Sequence, residues 1–172
     1  MQVVVVDYQP EWPQQFQAEA SLWRAVLGEV LLDIQHIGST SVPGLAAKPI
    51  IDILLAVSDL KTLDSFTTAI EKQGYEVMGE YGIRGRRYFR KGGNQRSHHV
   101  HAFQVGDANL ERHLAFRDYL RAHPAVAKAY GNLKKEIIQL RVQDSISYGD
   151  AKEPFIQEHE EKALVWYRNL SK

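Results

Sequence analysis

Apolar residues recur along this chain with two different periods, and the changes of period divide it into elements. In WPQQFQAEASLWRAVLGE the apolar positions Trp12, Phe16, Leu22, Trp23, Val26 and Leu27 fall at helical spacing, and Gly28 marks the stop. Before it, the β-branched run Val3 to Val6, closed by Asp7 and Pro10, predicts a short strand. Leu31 to Ile37 predicts a strand that delivers His36 to a turn, and Ile50 to Val57 (IIDILLAV) a strand buried on both faces. Asp59 is placed to cap a helix reaching about Gln73, where Gly74 ends it, and Tyr75 to Met78 predicts another strand. Arg86 to Lys91 and His98 to Val105 predict an antiparallel pair around the Gly92-Gly93-Asn94 turn. Beyond Asp107 the period is helical, with helices over Leu110 to Ala122, Pro124 to about Val142, and Asp150 to Leu170. Asp150, Glu153 and Pro154 read as the capped first turn of the last one, and Trp12, Trp23 and Trp166 as core.

Mixed strands and helices followed by a helical C-terminal third define an α+β class: a small mixed β-sheet with flanking helices. No repeat, low-complexity linker or internal boundary interrupts the 172 residues, so a single domain over 1–172 is expected. Lys+Arg and Asp+Glu are equal at 21 each, which leaves no global field to attract nucleic acid or a membrane. Extended nucleic-acid binding and a membrane partner are therefore not expected. The absence of cysteine excludes disulfides, thiolate zinc sites and a Cys nucleophile, and it fits a reducing compartment. MQVVVVDYQP is too short and acidic for a signal peptide, and no apolar run approaches the ~20 residues that span a bilayer. The expectation is a soluble, cytoplasmic protein.

The chemistry concentrates in HIGSTSVPGLAAKPIID, His36 to Asp52. A Gly-Ser turn after a strand exposes backbone N–H groups that hold phosphate, with Gly38 permitting close approach and Ser39, Thr40 and Ser41 adding hydroxyls. Asp52 is a lone carboxylate in an apolar strand, which is costly unless it is paired or binds a cation. The plain alternative is a loop of turn residues and an Asp that caps it. Downstream, alternation in His98-His99-Val100-His101 puts His99 and His101 on one strand face, a plausible metal or phosphate pair. These two can equally be ordinary strand histidines. Between Arg84 and Arg96 lie Arg84, Arg86, Arg87, Arg90, Lys91 and Arg96 without an acid. Arg86, Tyr88 and Arg90 share one face, and Arg87, Phe89 and Lys91 the other. One row lines a phosphate cleft, or the charges protect an edge strand. Lys48 is a further phosphate candidate, or a side chain projecting into solvent.

The spacing of Gly38-Ser39, twelve residues, then Asp52 resembles the signature of the nucleotidyltransferase superfamily, with its polymerase-β-like fold. The longer string HIGSTSVPGLAAKPIIDI, with HHVHAFQVG downstream, closely resembles the GrpB family, and the likeness runs from YQPEW to YGDAKEPFI. The resemblance implies a nucleotide or another phosphate-containing small molecule as partner. It also implies a divalent metal, Mg²⁺ first, with Mn²⁺ or Zn²⁺ as alternatives. Gly38, Ser39 and Thr40 would then hold phosphates with Lys48, Arg86, Arg87 or Arg90. Asp52 would hold the metal with His99 or His101, His36 could join them, and Asp52 and Ser39 become the catalytic candidates. The resemblance also lets the Tyr148–Lys152 stretch close over the site, and GrpB domains fused to dephospho-CoA kinase point to nucleotide or coenzyme A chemistry. This chain departs from the superfamily in one respect. Two carboxylates two residues apart normally hold two metals, but here Asp52 is followed by Ile53 and Leu54. Three readings stay open: metal-assisted nucleotidyl transfer, an inactive nucleotide- or coenzyme A-binding module, and a metallohydrolase built on His36, His99, His101 and Asp52.

Overall fold

The computed structural model describes residues 3–140 and 145–170. Five strands, β1 (Leu31–Ile37), β2 (Ile51–Val57), β3 (Tyr75–Val77), β4 (Arg86–Lys91) and β5 (His98–Gln104), form one sheet in the order β1-β2-β5-β4-β3. β2 and β5 run parallel and every other pair is antiparallel, so the sheet is mixed, as expected. The parallel pair needs a crossover, and the segment from α2 (Leu60–Asp64) through α3 (Thr67–Lys72), β3 and β4 supplies it.

One face of the sheet packs on α1 (Trp12–Leu27). Trp12, Phe16, Ala20, Trp23 and Leu27 meet Ile34, Ile53, Phe89, Val100 and Ala102 in the main core. The row of β4 that points this way ties down the helices: Arg87 Nε bonds Asp64 at 2.7 Å, and Lys91 Nζ bonds the buried Glu19 at 2.6 Å. The other face carries a smaller apolar cluster of Ile37, Leu54 and Phe103 under Leu110 and Leu114 of α4 (Ala108–Ala122). α5 (Pro124–Gln139) and α6 (Ser145–Leu170) complete the C-terminal helical layer. Among the described residues no helix is long and apolar enough to cross a membrane.

Three details differ from the sequence expectation, and a fourth falls at the edge of the described residues. Val3 to Val6 is not a strand: only Val6 bridges Ala47, while Val3 is buried against Ile137 and Tyr148. Val3 and Val5 pack under the C-terminal helices, Val6 packs on the main core and Val4 is exposed, so the run has no place in the sheet. The helix after Asp59 breaks into α2 and α3, although Asp59 caps its start by accepting from Thr62 N at 2.8 Å. Ser65 and Thr67 donate their hydroxyls to the Thr62 and Asp64 carbonyls, at 2.6 and 2.7 Å, and so compete with the helix ladder at the break. α5 ends at Gln139, and its expected end near Val142 lies outside the described residues. Finally, α6 begins before Asp150, so Asp150 is not a cap and Pro154 lies inside the helix. Pro154 removes one ladder bond. Packing of Phe155 on Tyr130 and of Ala163 against Ala115 supports the helix beyond it.

Candidate functional site

β1 ends at Ile37, and the chain turns through Gly38 into a short 3₁₀ segment, Ser39–Ser41. Gly38 sits at φ 73° and ψ −175°, a region open essentially to glycine alone. A Cβ there would lie 2.6 Å from Asp52 Oδ2 and 3.0 Å from Asp52 Cβ, so the turn is pressed directly on the carboxylate. The His36 ring fixes the turn from behind, with Nε2 2.9 Å from Thr40 Oγ1.

Register then builds a polar cluster. Asp52 pairs with His99 across the parallel β2–β5 ladder, and Leu54 pairs with His101, so all four share one face. Asp52 Oδ1 lies 3.5 Å from His99 Nδ1 and 3.6 Å from His101 Nε2. Burial pushes the Asp52 carboxyl up, but the His101 and His99 rings outweigh it and hold the group far below the usual carboxylate range. Behind His101, Arg86 NH1 approaches Nδ1 at 3.2 Å. His113 of α4 lies beyond His101 with its ring tilted 36° to it, and its pKa is lowered to about 3 by burial and by that neighbour.

Three lysines close the cleft. Lys134 of α5 is 2% exposed; its Nζ donates to Ser39 Oγ and to the Ala46 carbonyl, and lies 4.1 Å from the Tyr130 ring centroid. Burial holds Lys134 well below the usual lysine value; Lys152 and Lys48 push the same way, against Asp52. Lys152 of α6 lies over the Tyr148 ring and is pulled down to about 8 by burial and by Lys48. With Ser39, Thr40, Asp52, His99, His101, Lys48 and Tyr148, these two lysines line a cleft of about 230 Å³. Typical small-molecule sites hold about 300–1,000 Å³, so this one is smaller than most. Larger hollows, of about 860, 770, 370 and 370 Å³, lie elsewhere and do not include this cluster.

The structure therefore brings Ser39, Thr40, Lys48, Asp52, His99 and His101 to one cleft, with Gly38 against Asp52. It separates others. His36 pairs with Ile53 and stacks on Phe16 of α1 at 4.9 Å, so it lies on the opposite face from Asp52 and is no partner for it in a metal site. Burial lowers its ring to about 4. Arg87 faces α2 and is committed to Asp64, so it is not a cleft residue. Arg86 supports His101 from outside the cleft lining, and Arg90, on the same sheet face, pairs with Glu76 at 3.4 Å near the sheet edge. Tyr148 and Lys152 do close over the site. Lys134 went unread, although its signal was present. It occupies the buried stripe Ala127, Tyr130, Gly131, Lys134, Ile137, where a lysine is out of place on an apolar helix face.

As a metal centre the cluster fits poorly. Among the described residues no group of three His, Asp or Glu side chains is arranged as a ligand set. Leu54 fills the position of a second carboxylate and packs in the apolar cluster with Ile37 and Phe103.

Comparison with known proteins places these features in a family. The GrpB protein family matches residues 2–162. The YqkA protein of Bacillus subtilis is 44% identical over 164 residues, which is 95% of this chain but 48% of that protein. The chain thus spans about half the length of that curated relative. The crystal structure of the conserved protein GrpB from Enterococcus faecalis superposes with a TM-score of 0.92 at 47% identity, covering 95% of this chain and 99% of that one. A dephospho-CoA kinase of Mycobacterium leprae is 26% identical over 94% of this chain and 46% of its own length. Distant structural neighbours include a terminal uridylyl transferase from Trypanosoma brucei, with a TM-score of 0.49 at 15% identity.

Proposed function

The chain belongs to the GrpB family, and we propose that it binds a nucleotide or another phosphate-bearing small molecule in the cleft between the Ser39 turn and α5 and α6. One observation carries this reading: Lys48, Lys134 and Lys152 converge with the hydroxyls of Ser39, Thr40 and Tyr148 around a single carboxylate, in a protein of zero net charge. A buried ammonium such as Lys134 is unfavourable in the empty protein and becomes favourable once an anion pairs with it. The match to part of a dephospho-CoA kinase favours a coenzyme A-type ligand as one source of that phosphate. Nucleotidyl transfer is the less supported half of the reading, because Leu54 removes the second carboxylate that two-metal chemistry uses.

A thermal-shift panel of ATP, CTP, GTP, UTP, coenzyme A, dephospho-coenzyme A and pyrophosphate tests the binding. At least one should raise the melting temperature of the wild type and leave Lys152→Ala unmoved; no shift with any of them sinks the proposal. Release of pyrophosphate from the triphosphates should stay at background with Mg²⁺, Mn²⁺ or Zn²⁺.

The pH dependence follows from Lys152. Burial and Lys48 bring its ammonium down to about 8, and a bound phosphate favours the charged form. Affinity is then full below that pH and falls above it, by up to about tenfold per pH unit. Calorimetric titrations at about pH 7 and pH 9.5 measure the slope, and Lys152→Arg, which stays charged, should flatten it. An equal slope in both proteins would assign the effect elsewhere.

A further inference from the structure

We propose that this cleft holds its phosphate ligand without a bridging divalent cation, and that Arg86 is the positioning residue that closes the cluster to metals. The inference deepens the phosphate-binding reading and rests on it for the ligand, but its metal half stands alone.

The argument begins at one nitrogen. A guanidinium donates hydrogen bonds and accepts none. Arg86 NH1 lies 3.2 Å from His101 Nδ1, so Nδ1 must be the accepting lone pair. The ring proton then sits on Nε2, the nitrogen that faces Asp52 Oδ1 at 3.6 Å. A metal shared with Asp52 would need the Nε2 lone pair, which this tautomer does not offer. His99 has no such lock: Nδ1 faces Asp52, while Nε2 is buried without a partner among the described residues. Among the described residues, that leaves one His99 ring nitrogen and the Asp52 carboxylate as ligands on this face of β2 and β5, and Leu54 supplies nothing.

Arg86 is not free to turn away. Its NH2 donates to the Tyr81 carbonyl at 2.7 Å and its Nε to the Glu80 carbonyl at 3.2 Å, and its guanidinium lies 4.8 Å from the Tyr88 ring centroid. Tyr81 is the one non-glycine residue among those described with positive φ, at 46°. The loop therefore accepts backbone strain at the residue whose carbonyl receives the guanidinium. Charge points the same way. Lys48, Lys134, Lys152 and Arg86 surround the lone Asp52, so an added dication meets net repulsion where a phosphate meets attraction.

Three measurements on the full chain test this. Long-range ¹H–¹⁵N spectra of the wild type should report His101 with an unprotonated Nδ1 and a protonated Nε2. Titration with Co²⁺ and Zn²⁺ should give neither ligand-field bands nor a stoichiometric Zn²⁺ site dependent on Asp52. Pyrophosphate should bind in EDTA within about threefold of its affinity in Mg²⁺ at matched free ligand. Arg86→Leu frees the ring to change tautomer, so it should gain Co²⁺ bands that Arg86→Lys, which keeps a donor, does not. A wild-type Co²⁺ or Zn²⁺ site lost in Asp52→Ala overturns the proposal. So does a tenfold or greater loss of affinity in EDTA, or an Arg86→Leu protein that folds and gains no metal. The wild-type measurements decide the matter even if Arg86→Leu does not fold. If pyrophosphate fails to bind under either condition, the same comparison is made with whichever ligand of the thermal-shift panel binds; if none binds, the phosphate-binding reading fails, while the metal titration still tests the role of Arg86.

Discussion

Gly38→Ala should melt well below the wild type and lose the phosphate ligand. Two costs combine in this substitution. The backbone at φ 73° and ψ −175° is one that residues with a Cβ rarely adopt. The added methyl would also meet Asp52 Oδ2 at 2.6 Å and Asp52 Cβ at 3.0 Å. The carboxylate oxygen can rotate away, but the Cβ belongs to β2 and moves only with the strand. Together these predict a loss of about 2–4 kcal/mol, or roughly 5–15 °C in melting temperature for a chain of this size. The two costs are separable. In an Asp52→Ala background the oxygen clash disappears while the φ strain and the Cβ contact remain, so the penalty of Gly38→Ala should shrink without vanishing. Denaturant unfolding of the four proteins of that cycle gives the coupling. A Gly38→Ala protein that melts with the wild type and binds as tightly would mean that the turn relaxes freely and that its pressure on Asp52 has no consequence.

The elements that build this site were legible where pattern alone decides them. β1, β2, β4 and β5 lie within a residue of their expected bounds because each is a short run whose neighbours are turn residues. Alternation in β4 also separated the row Arg86, Tyr88, Arg90 from Arg87, Phe89, Lys91. What alternation cannot say is which row faces which layer. That depends on α1 covering one face, which turned Arg87 toward Asp64 and left Arg86 beside His101. His36 illustrates the same limit. Its face depends on the β1–β2 register, which pairs Ile37 with Asp52, and the strands are joined by a long connection rather than a tight turn. No local signal sets that register. A displacement of one residue would have put His36 beside Asp52 instead.

The helical third was misread at α6 for a related reason. Asp150, Glu153 and Pro154 carry the residue types of a helix start, yet tertiary packing carries the helix through them. The earlier start also builds one wall of the cleft. Because α6 begins earlier, Tyr148 and Lys152 sit one turn apart on a formed helix and reach the cleft together.

Lys134→Met should lower ligand affinity by about thirty- to a thousandfold, the equivalent of about 2–4 kcal/mol for a charge-assisted contact in a desolvated site. The same substitution should leave the empty protein as stable as the wild type or more so. The wild type buries the Lys134 amine at 2% exposure, with Ser39 and the Ala46 carbonyl as acceptors, and burial, Lys152 and Lys48 all disfavour its charged form. Methionine has similar length and packs on Tyr130 without that desolvation cost, which offsets the two hydrogen bonds lost. The sign of the pH effect follows from the lowered pKa. Between the folded value and the ordinary lysine value, the unfolded chain holds a proton that the folded chain does not, so wild-type stability rises with pH across that window. The methionine protein lacks this contribution. Its advantage should therefore be greatest near neutral pH and shrink toward about pH 10. Urea unfolding at the two pH values, with pyrophosphate titrations alongside, separates the outcomes. A variant several kcal/mol less stable than the wild type, with affinity intact, would make Lys134 a structural strut and take the principal cation out of the proposed site.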